Sequence, residues 1–495
     1  MALSNIYNQI PKRYLLSLLG FFGLLNAYVL RSNLPITIVA MTTPTLEKSS
    51  INTTTILPAA YNWSTITQGH ILSSFYYGYV VAQIPAGFLA TRFGGRILFG
   101  GSIGLLAFLS LFTPLCAQSG SGTLIFLRVL EGISSSCIYP SLNDIWSVWT
   151  PKKDRSKLTM FTLSGAYTGT FVAMLFGGVI AANWSWAWVF YIPGISALVW
   201  VVVCFYLTAN SPSTHPTISY EEAKYINDNM DQAISRKQAI PWKDILTSLP
   251  VWATIVAHFG TDWVVFTLST ELPTFLVKSL GFRVDAAGVL AALPWLTTTI
   301  SVSGTGFISD KLTEKYSTLC IRKLVMALSF TIIVSSFLLI TLLDASYRAL
   351  ILMCVIIVMT ASGPAWASAG VNQLDIAGRY AAILMGISIS IGSTPGFLAP
   401  MITGYIVENP HLKREWNDVF IISILIFALT IGFYMIFAAG ELQIWALNSA
   451  DEYQHILDSS ISSRNISERN SLIEKNIYDL TDRLKAEIHA ENNAE

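Results

Sequence analysis

The sequence predicts an all-α membrane protein of twelve transmembrane helices in two halves of six, on three observations. Of its 495 residues 53% are hydrophobic and only 12% charged, where a soluble domain carries about 25% charged residues; the mean hydropathy is +0.54. Apolar runs of the length that crosses a bilayer, about 20 residues as helix, recur along the chain. One long polar stretch, 209–247, interrupts them midway.

The first run, 14–40, follows Lys12 and Arg13. It is too long for a signal peptide and has no small-residue cleavage site, so it reads as a retained span. Further spans fall at 69–90, 97–117, 124–146, 160–182 and 187–208, completing a first half over 1–208. In the central loop, Ser219 followed by Glu222 fits a capping box that opens a short amphipathic helix. The second half, 248–440, has spans at 249–276, 284–308, 323–343, 347–368, 379–406 and 418–440, and the polar tail 441–495 has some helical character.

Basic residues in short loops mark the cytosolic side. Lys12 and Arg13, Arg92 and Arg96, Lys152, Lys153, Arg155 and Lys157, and Lys311, Lys315, Arg322 and Lys323 all fall on one side. The other side holds few, among them Lys278, Arg283 and the Lys413–Arg414 pair. Both termini, the central loop and the tail are therefore expected in the cytosol. The loop after the first span then faces outward or into a lumen, and its two sequons make Asn52 and Asn62 candidate glycosylation sites. The sequon at Asn465 would be cytosolic and unused.

Thirty basic and thirty acidic residues balance, with no basic tract of the kind that binds nucleic acid. The five cysteines show no metal-binding or disulfide spacing. There is no nucleophile–base pair, metal cluster or phosphate loop, so neither an enzyme nor a cofactor is expected. The partners expected are the bilayer and a small anionic solute, and the protein is taken as monomeric.

Ionisable residues inside spans carry most of the information, because each costs roughly 2.5–3.5 kcal/mol at mid-helix. Arg31 sits within the first span. Arg128 and Glu131 lie three apart on one face of the fourth. Asp262 is in the seventh, beside Trp263 and after His258. Two arginines against one nearby glutamate leave positive charge in the first half, and the planar guanidinium fork binds carboxylate or phosphate. Blander readings stay open: Arg128–Glu131 as a structural pair, Arg31 snorkelling, Asp262 bonding a neighbouring helix, His258 as a hydrogen-bonded packing residue. The run Phe75-Tyr76-Tyr77-Gly78-Tyr79 reads chiefly as helix packing, with Tyr76 the candidate to hydrogen-bond a solute.

An internal repeat supports the two-half layout. Gly87-Phe-Leu-Ala-Thr91-Arg92-Phe-Gly94-Gly-Arg96 follows the second span, and Gly306-Phe-Ile-Ser-Asp310-Lys311 follows the eighth. Both resemble the G-x-x-x-D-R-x-G-R loop of the major facilitator superfamily, whose charges hold the helix ends in one state. Thr91 stands where an acid is usual, which weakens that latch.

More specific matches run from about residue 14 to 446. They include Arg31-Ser-Asn33-Leu34, Ile71 through Tyr79, Gln83-Ile-Pro85, Arg128-Val-Leu-Glu131-Gly132, Val189 through Gly194, Leu272-Pro-Thr-Phe275 and Glu441-Leu-Gln-Ile-Trp445. In these the chain resembles the anion-transporter family of sialin, which includes the vesicular glutamate and nucleotide transporters and the type I sodium–phosphate cotransporters. The resemblance implies an alternating-access carrier in which Arg31 and Arg128 bind the anion and a carboxylate of the fourth span couples protons. Departures bear on coupling: the family's second glutamate falls on Ser134-Ser135-Ser136, its Asn-Trp is Asp262-Trp263, and the histidine of vesicular glutamate transporters falls on Leu72.

The expected function is symport of a small organic anion, sialin-like (an acidic sugar or acidic amino acid), with H+ as coupling ion through Glu131, and with Asp262 partly replacing the family's missing second glutamate. Sodium-coupled phosphate or organic anion transport is the alternative, and a non-transporting receptor-like protein the alternative of another class. Glu468, Leu472 and Ile473 fit an acidic dileucine signal read by clathrin adaptors, while Leu472 and Ile473 equally fit the apolar face of a tail helix, so the expected location is a lysosomal or vesicular membrane or the plasma membrane.

Overall fold

A computed structural model of the chain describes residues 11–48, 54–57, 59–150, 154–229, 240–313, 315–377 and 380–446. Proline and glycine set where its helices start and break. α1 (Lys12–Ser32) passes through Asn33 into α2 (Leu34–Thr42), which has Pro35 in its first turn. A short antiparallel hairpin, β1 (Thr45–Lys48) with β2 (Thr54–Leu57), departs from the all-α expectation in the loop that follows. Ser64 caps α3 (Thr65–Phe93) by accepting the Thr67 amide at 3.2 Å. α4 (Gly95–Leu111) and α5 (Thr113–Ser119) meet at a 43° bend just before Pro114.

α6 (Ser121–Ser136) and α7 (Ile138–Trp149) adjoin at Cys137 and together form one candidate span, Ser121–Trp149, at the fourth predicted position. α8 (Arg155–Asn183), α9 (Trp188–Leu207), α10 (Tyr220–Asp228) and α11 (Trp242–Thr247) follow. α12 (Leu249–Thr274) ends in a π turn, Phe275–Ser279. The remainder is α13 (Val284–Thr313), α14 (Thr318–Leu342), α15 (Arg348–Ala377), α16 (Ala381–Gly392), α17 (Pro395–Ile406) and α18 (Lys413–Phe437). The predicted span 379–406 carries a short turn between Gly392 and Pro395 but forms one candidate span, Ile383–Ile406.

Among the described residues, 10 helices are long and apolar enough to cross a membrane, or 11 with the bent α4–α5 pair. The 29-residue α3 is not among them. It is diluted by Gln68, His70, Ser73, Ser74, Gln83 and its tyrosines.

Two large buried clusters, with two smaller ones beside them, hold the helices together. Of the large ones, one runs from Leu16 to Ile226 and the other chiefly from Ala253 to Ala438. Helices of the two meet at the end that carries the hairpin, here the far end; the end with Lys12 is the near end. At the far end Gly69 lies against the Pro400 carbonyl, 2.5 Å from where a Cβ would stand, and Gly288 lies against Gly178 at 2.8 Å. At the near end nothing lies within 4 Å of the equivalent point on Gly87, Gly94 or Gly304. The two clusters are thus in backbone contact at the far end.

The central loop packs onto the near end. Ser219 does cap α10, its hydroxyl accepting the Glu222 amide at 3.1 Å. The expected capping box forms only by half, because the Glu222 carboxylate turns away to cap α1. It accepts the backbone amides of Lys12 (2.8 Å) and Arg13 (3.1 Å) and pairs with the Arg13 guanidinium at 3.2 Å. Arg13 also pairs with Asp154 at 3.2 Å, just before α8. One glutamate thereby satisfies two of the four orphan donors of α1. Glu222→Ala is expected to destabilise the protein by about 1–2 kcal/mol, the range for losing a cap and leaving amides unpaired. A lower melting temperature in detergent, partly restored by Glu222→Gln, checks this.

Candidate solute-binding site

A proline begins the site. Pro35 has no N–H, so the Arg31 carbonyl four residues earlier cannot receive its usual helical bond. Arg128 supplies the donor instead, its Nη2 reaching the Arg31 carbonyl at 3.3 Å. Its Nη1 donates to Glu131 Oε2 at 2.6 Å, and the other oxygen of Glu131 accepts from Thr113 at 3.3 Å, just past the α4–α5 bend. Arg128 is 3% and Glu131 0% exposed, so neither is open to a solute in this arrangement. Gly132 makes the placement possible: a Cβ there would overlap the Phe75 carbonyl, so only glycine lets α6 lie this close to α3.

Arg31 has a different environment. No carboxylate pairs with it among the described residues. Its guanidinium carbon lies 4.8 Å from the ring centre of Tyr76, 5.2 Å from Tyr28, 5.3 Å from Phe75 and from Tyr79, and 5.9 Å from Phe266. Desolvated cation–π contacts contribute up to about 2 kcal/mol each, enough to hold an arginine in an apolar setting without an acid. The aromatic run of α3 is therefore more than helix packing. Phe75, Tyr76 and Tyr79 recur at the spacing of one helical face and build the wall around Arg31. Tyr76, the candidate solute contact, packs over Gly396 of α17 and edge-on to Phe266 at 5.1 Å, closing that wall against the second half. The reading from sequence missed Tyr28, whose hydroxyl lies 2.6 Å from that of Tyr139. It also missed Tyr79 and Phe266.

The opposite wall is α12. Asp262 is 16% exposed, so it and not Glu131 is the acid that solvent reaches. It lies within electrostatic range of Arg31. His258 is a hydrogen-bonded packing residue. Trp366 Nε1 donates to its Nε2 at 2.8 Å, which leaves Nδ1 as the protonated nitrogen facing Ser388 at 2.8 Å. Since Nε2 accepts, its 3.4 Å approach to Asp262 is not a charged pair. Gln373 donates to the same Ser388 hydroxyl at 2.7 Å, so α12, α15 and α16 are fixed together behind Asp262.

The site therefore holds a cation without an acid partner, facing a partly open carboxylate between two helix clusters. The family model described as Major Facilitator Superfamily matches residues 16–400. The chain belongs to this superfamily. It is 35% identical over 459 residues to sialin of Homo sapiens, covering 90% of this chain and 92% of that protein. It is 34% identical over 452 residues to vesicular glutamate transporter 2 of Homo sapiens, covering 88% and 76%. Among solved structures it superposes on a bacterial homolog of the human lysosomal transporter Spinster, in an inward-facing and occupied conformation, with a TM-score of 0.65 at 17% identity, covering 86% and 97%. It also matches a D-xylose-proton symporter with a TM-score of 0.66 at 15% identity, covering 87% and 98%. The protein is a secondary-active transporter of small solutes and not an enzyme.

The superfamily loops lie at the near end. Arg96 donates to the Phe205 carbonyl at 2.6 Å and to Thr208 at 3.1 Å, tying α4 to the end of α9. Arg92 lies over Phe93, and Gly94 ends α3 with φ +80°. The first loop does have an acid, supplied from elsewhere: Asp144 of α7 accepts the Gly95 amide at 2.6 Å. The second half has a counterpart in Arg322–Asp375, 3.1 Å apart and joining α14 to α15. Asp310 and Lys311 fall within α13; Lys311 is exposed, and the Asp310 side chain lies outside the described residues. Asn62 is exposed before α3. Asn52, Glu468, Leu472 and Ile473 lie outside the described residues.

The two arginines are expected to fail differently. Arg31→Ala removes a cation that no carboxylate pairs with, so uptake is lost with a smaller fall in melting temperature than in Arg128→Ala. Arg128→Ala leaves the Glu131 charge buried alone, a loss of about 3–5 kcal/mol; adding Glu131→Gln restores stability but not uptake. Thermal melts beside solute uptake in proteoliposomes check both.

Proposed function

We propose that the protein is a proton-coupled symporter of a small organic anion, an acidic sugar or acidic amino acid, working by alternating access. The observation that carries this is Arg31: a guanidinium held by aromatic faces, with its donors not committed to a carboxylate, is a ready receptor for a solute's own carboxylate. Similarity to sialin supports the same solute class. The anion binds first at Arg31, and its site is completed by the Arg128 fork once that is freed. Protonation of Glu131 then loosens its 2.6 Å hold on Arg128, freeing that fork and permitting the two halves to rock.

The twelve-span count joins α3, and the α4–α5 bend, to the helices already long and apolar enough. It divides the chain into halves at 1–208 and 248–440 around the central loop. The basic loops place the near end, both termini and the tail in the cytosol, and Asn52 and Asn62 on the glycosylated side. Sodium coupling is the second reading, and a specific observation favours it: where the resembling family has a second glutamate, Ser134 and Ser136 spend their hydroxyls on the Ser102 and Ile133 carbonyls at 2.8 and 2.7 Å. α6 therefore holds one acid in this region, not two.

Uptake of labelled anion into proteoliposomes under an imposed pH gradient, against an imposed sodium gradient, separates the two; uptake driven by sodium alone overturns proton coupling. Glu131→Gln is expected to abolish pH-driven accumulation while exchange of labelled for unlabelled solute continues. Unchanged accumulation moves the proton to Asp262, with Asp262→Asn as the check. For location, Leu472→Ala with Ile473→Ala is expected to shift the protein from lysosomal or vesicular membranes to the cell surface, read by surface labelling. An unchanged distribution leaves the tail-helix reading standing.

A further inference from the structure

Glu271 lies nine residues beyond Asp262 on α12, about 13 Å further toward the far end. It is 8% exposed, and its Oε1 has no hydrogen-bond partner among the described residues. It lines a cavity of about 20 Å³, room for a single water. The walls are Gln68 and Gly69 of α3, Thr403 and Gly404 of α17, and Trp416 of α18. These walls are the far-end seal itself, because Gly69 rests on the Pro400 carbonyl and Gly404 on the Thr65 carbonyl.

Glu271 is the one ionisable side chain among the residues lining this cavity. The charged and titratable groups on the elements around it point elsewhere or stay outside. Lys278 donates to the Thr42 carbonyl, His411 faces the Lys278 carbonyl, and His70 faces Tyr405. Glu415 accepts the Asn409 amide, and Glu408 does not line the cavity. An ionised carboxylate with no counter-charge and an unpartnered oxygen is strongly disfavoured in such a place, whereas the neutral acid is tolerated. Parting α3 from α17 would admit water and reverse that preference.

We propose that Glu271 is a proton-binding latch of the far mouth, holding a proton while α3 and α17 close over it and losing it when they separate. This rests on the alternating-access reading above and adds a titrating site distinct from Glu131 and Asp262. Far-side pH then sets how readily the mouth stays shut.

The test reads the mouth and the transport separately. A Thr403→Cys variant of the full chain in proteoliposomes is labelled with a membrane-impermeant maleimide across pH, against the same protein without that cysteine. Labelling is expected to rise with pH, to lose its pH response and stay low in Glu271→Gln, and to recover the response in Glu271→Asp. A pH profile unchanged by Glu271→Gln overturns the proposal. So does loss of the response in both variants, which indicates a structural role, or protection by sodium at constant pH, which makes the cavity a cation site. Solute uptake by the unmodified protein is measured in parallel: its absence overturns alternating-access transport, whereas the labelling profile decides Glu271.

Discussion

The Arg31 carbonyl, released by Pro35 and taken up by Arg128, is the contact on which the centre of the molecule depends. A lone backbone acceptor in an apolar interior costs several kcal/mol, and so does a lone buried charge. The chain resolves both with one side chain. Arg128 gives one amino group to that carbonyl and the other to Glu131, while Thr113 completes the glutamate. α1, α5 and α6 are fastened together, and the approach of α6 to α3 follows from the missing side chain at Gly132. The result leaves Arg31 itself facing rings and not acids.

That division of labour between the arginines explains how two cations are accommodated inside a stable helix packing. Arg128 is neutralised from within the protein and is buried with its partner. Arg31 is accommodated by the negative faces of aromatic rings, which stabilise a cation without discharging it. Across the gap, the ring of bonds joining His258, Trp366, Ser388 and Gln373 holds α12 in place while leaving Asp262 partly open. Cation and acid thus come from two different clusters of helices.

The near end is tied by a different set of contacts, and these mostly act within one cluster. Glu222 caps α1 and links it through Arg13 to Asp154, Asp144 caps α4, and Arg322 pairs with Asp375. The far end is sealed by backbone against backbone at glycines, which leaves little room for polar side chains. Glu271 is the exception, a buried acid within that seal.

Composition and hydropathy alone determined that this is a helical membrane protein. The spans followed from run length, because hydrocarbon admits only segments that satisfy their own backbone. Arg31, Arg128, Glu131 and Asp262 stood out for the same reason, since ions are rare at such positions. The neighbours of those ions were not legible. Tyr28, Tyr79 and Phe266 read as ordinary apolar packing, because an aromatic residue in a span is unremarked until a cation is found beside it. The 43° bend at Phe112 and the local turns at Cys137 and between Gly392 and Pro395 also escaped, as hydropathy continues smoothly across them. Glu222 looked like the second half of a capping box because local spacing permits it; a competing acceptor role 210 residues away decided otherwise. Which ion is paired and which is left for a solute depends on distances between helices remote in sequence, and only the tertiary structure decides those.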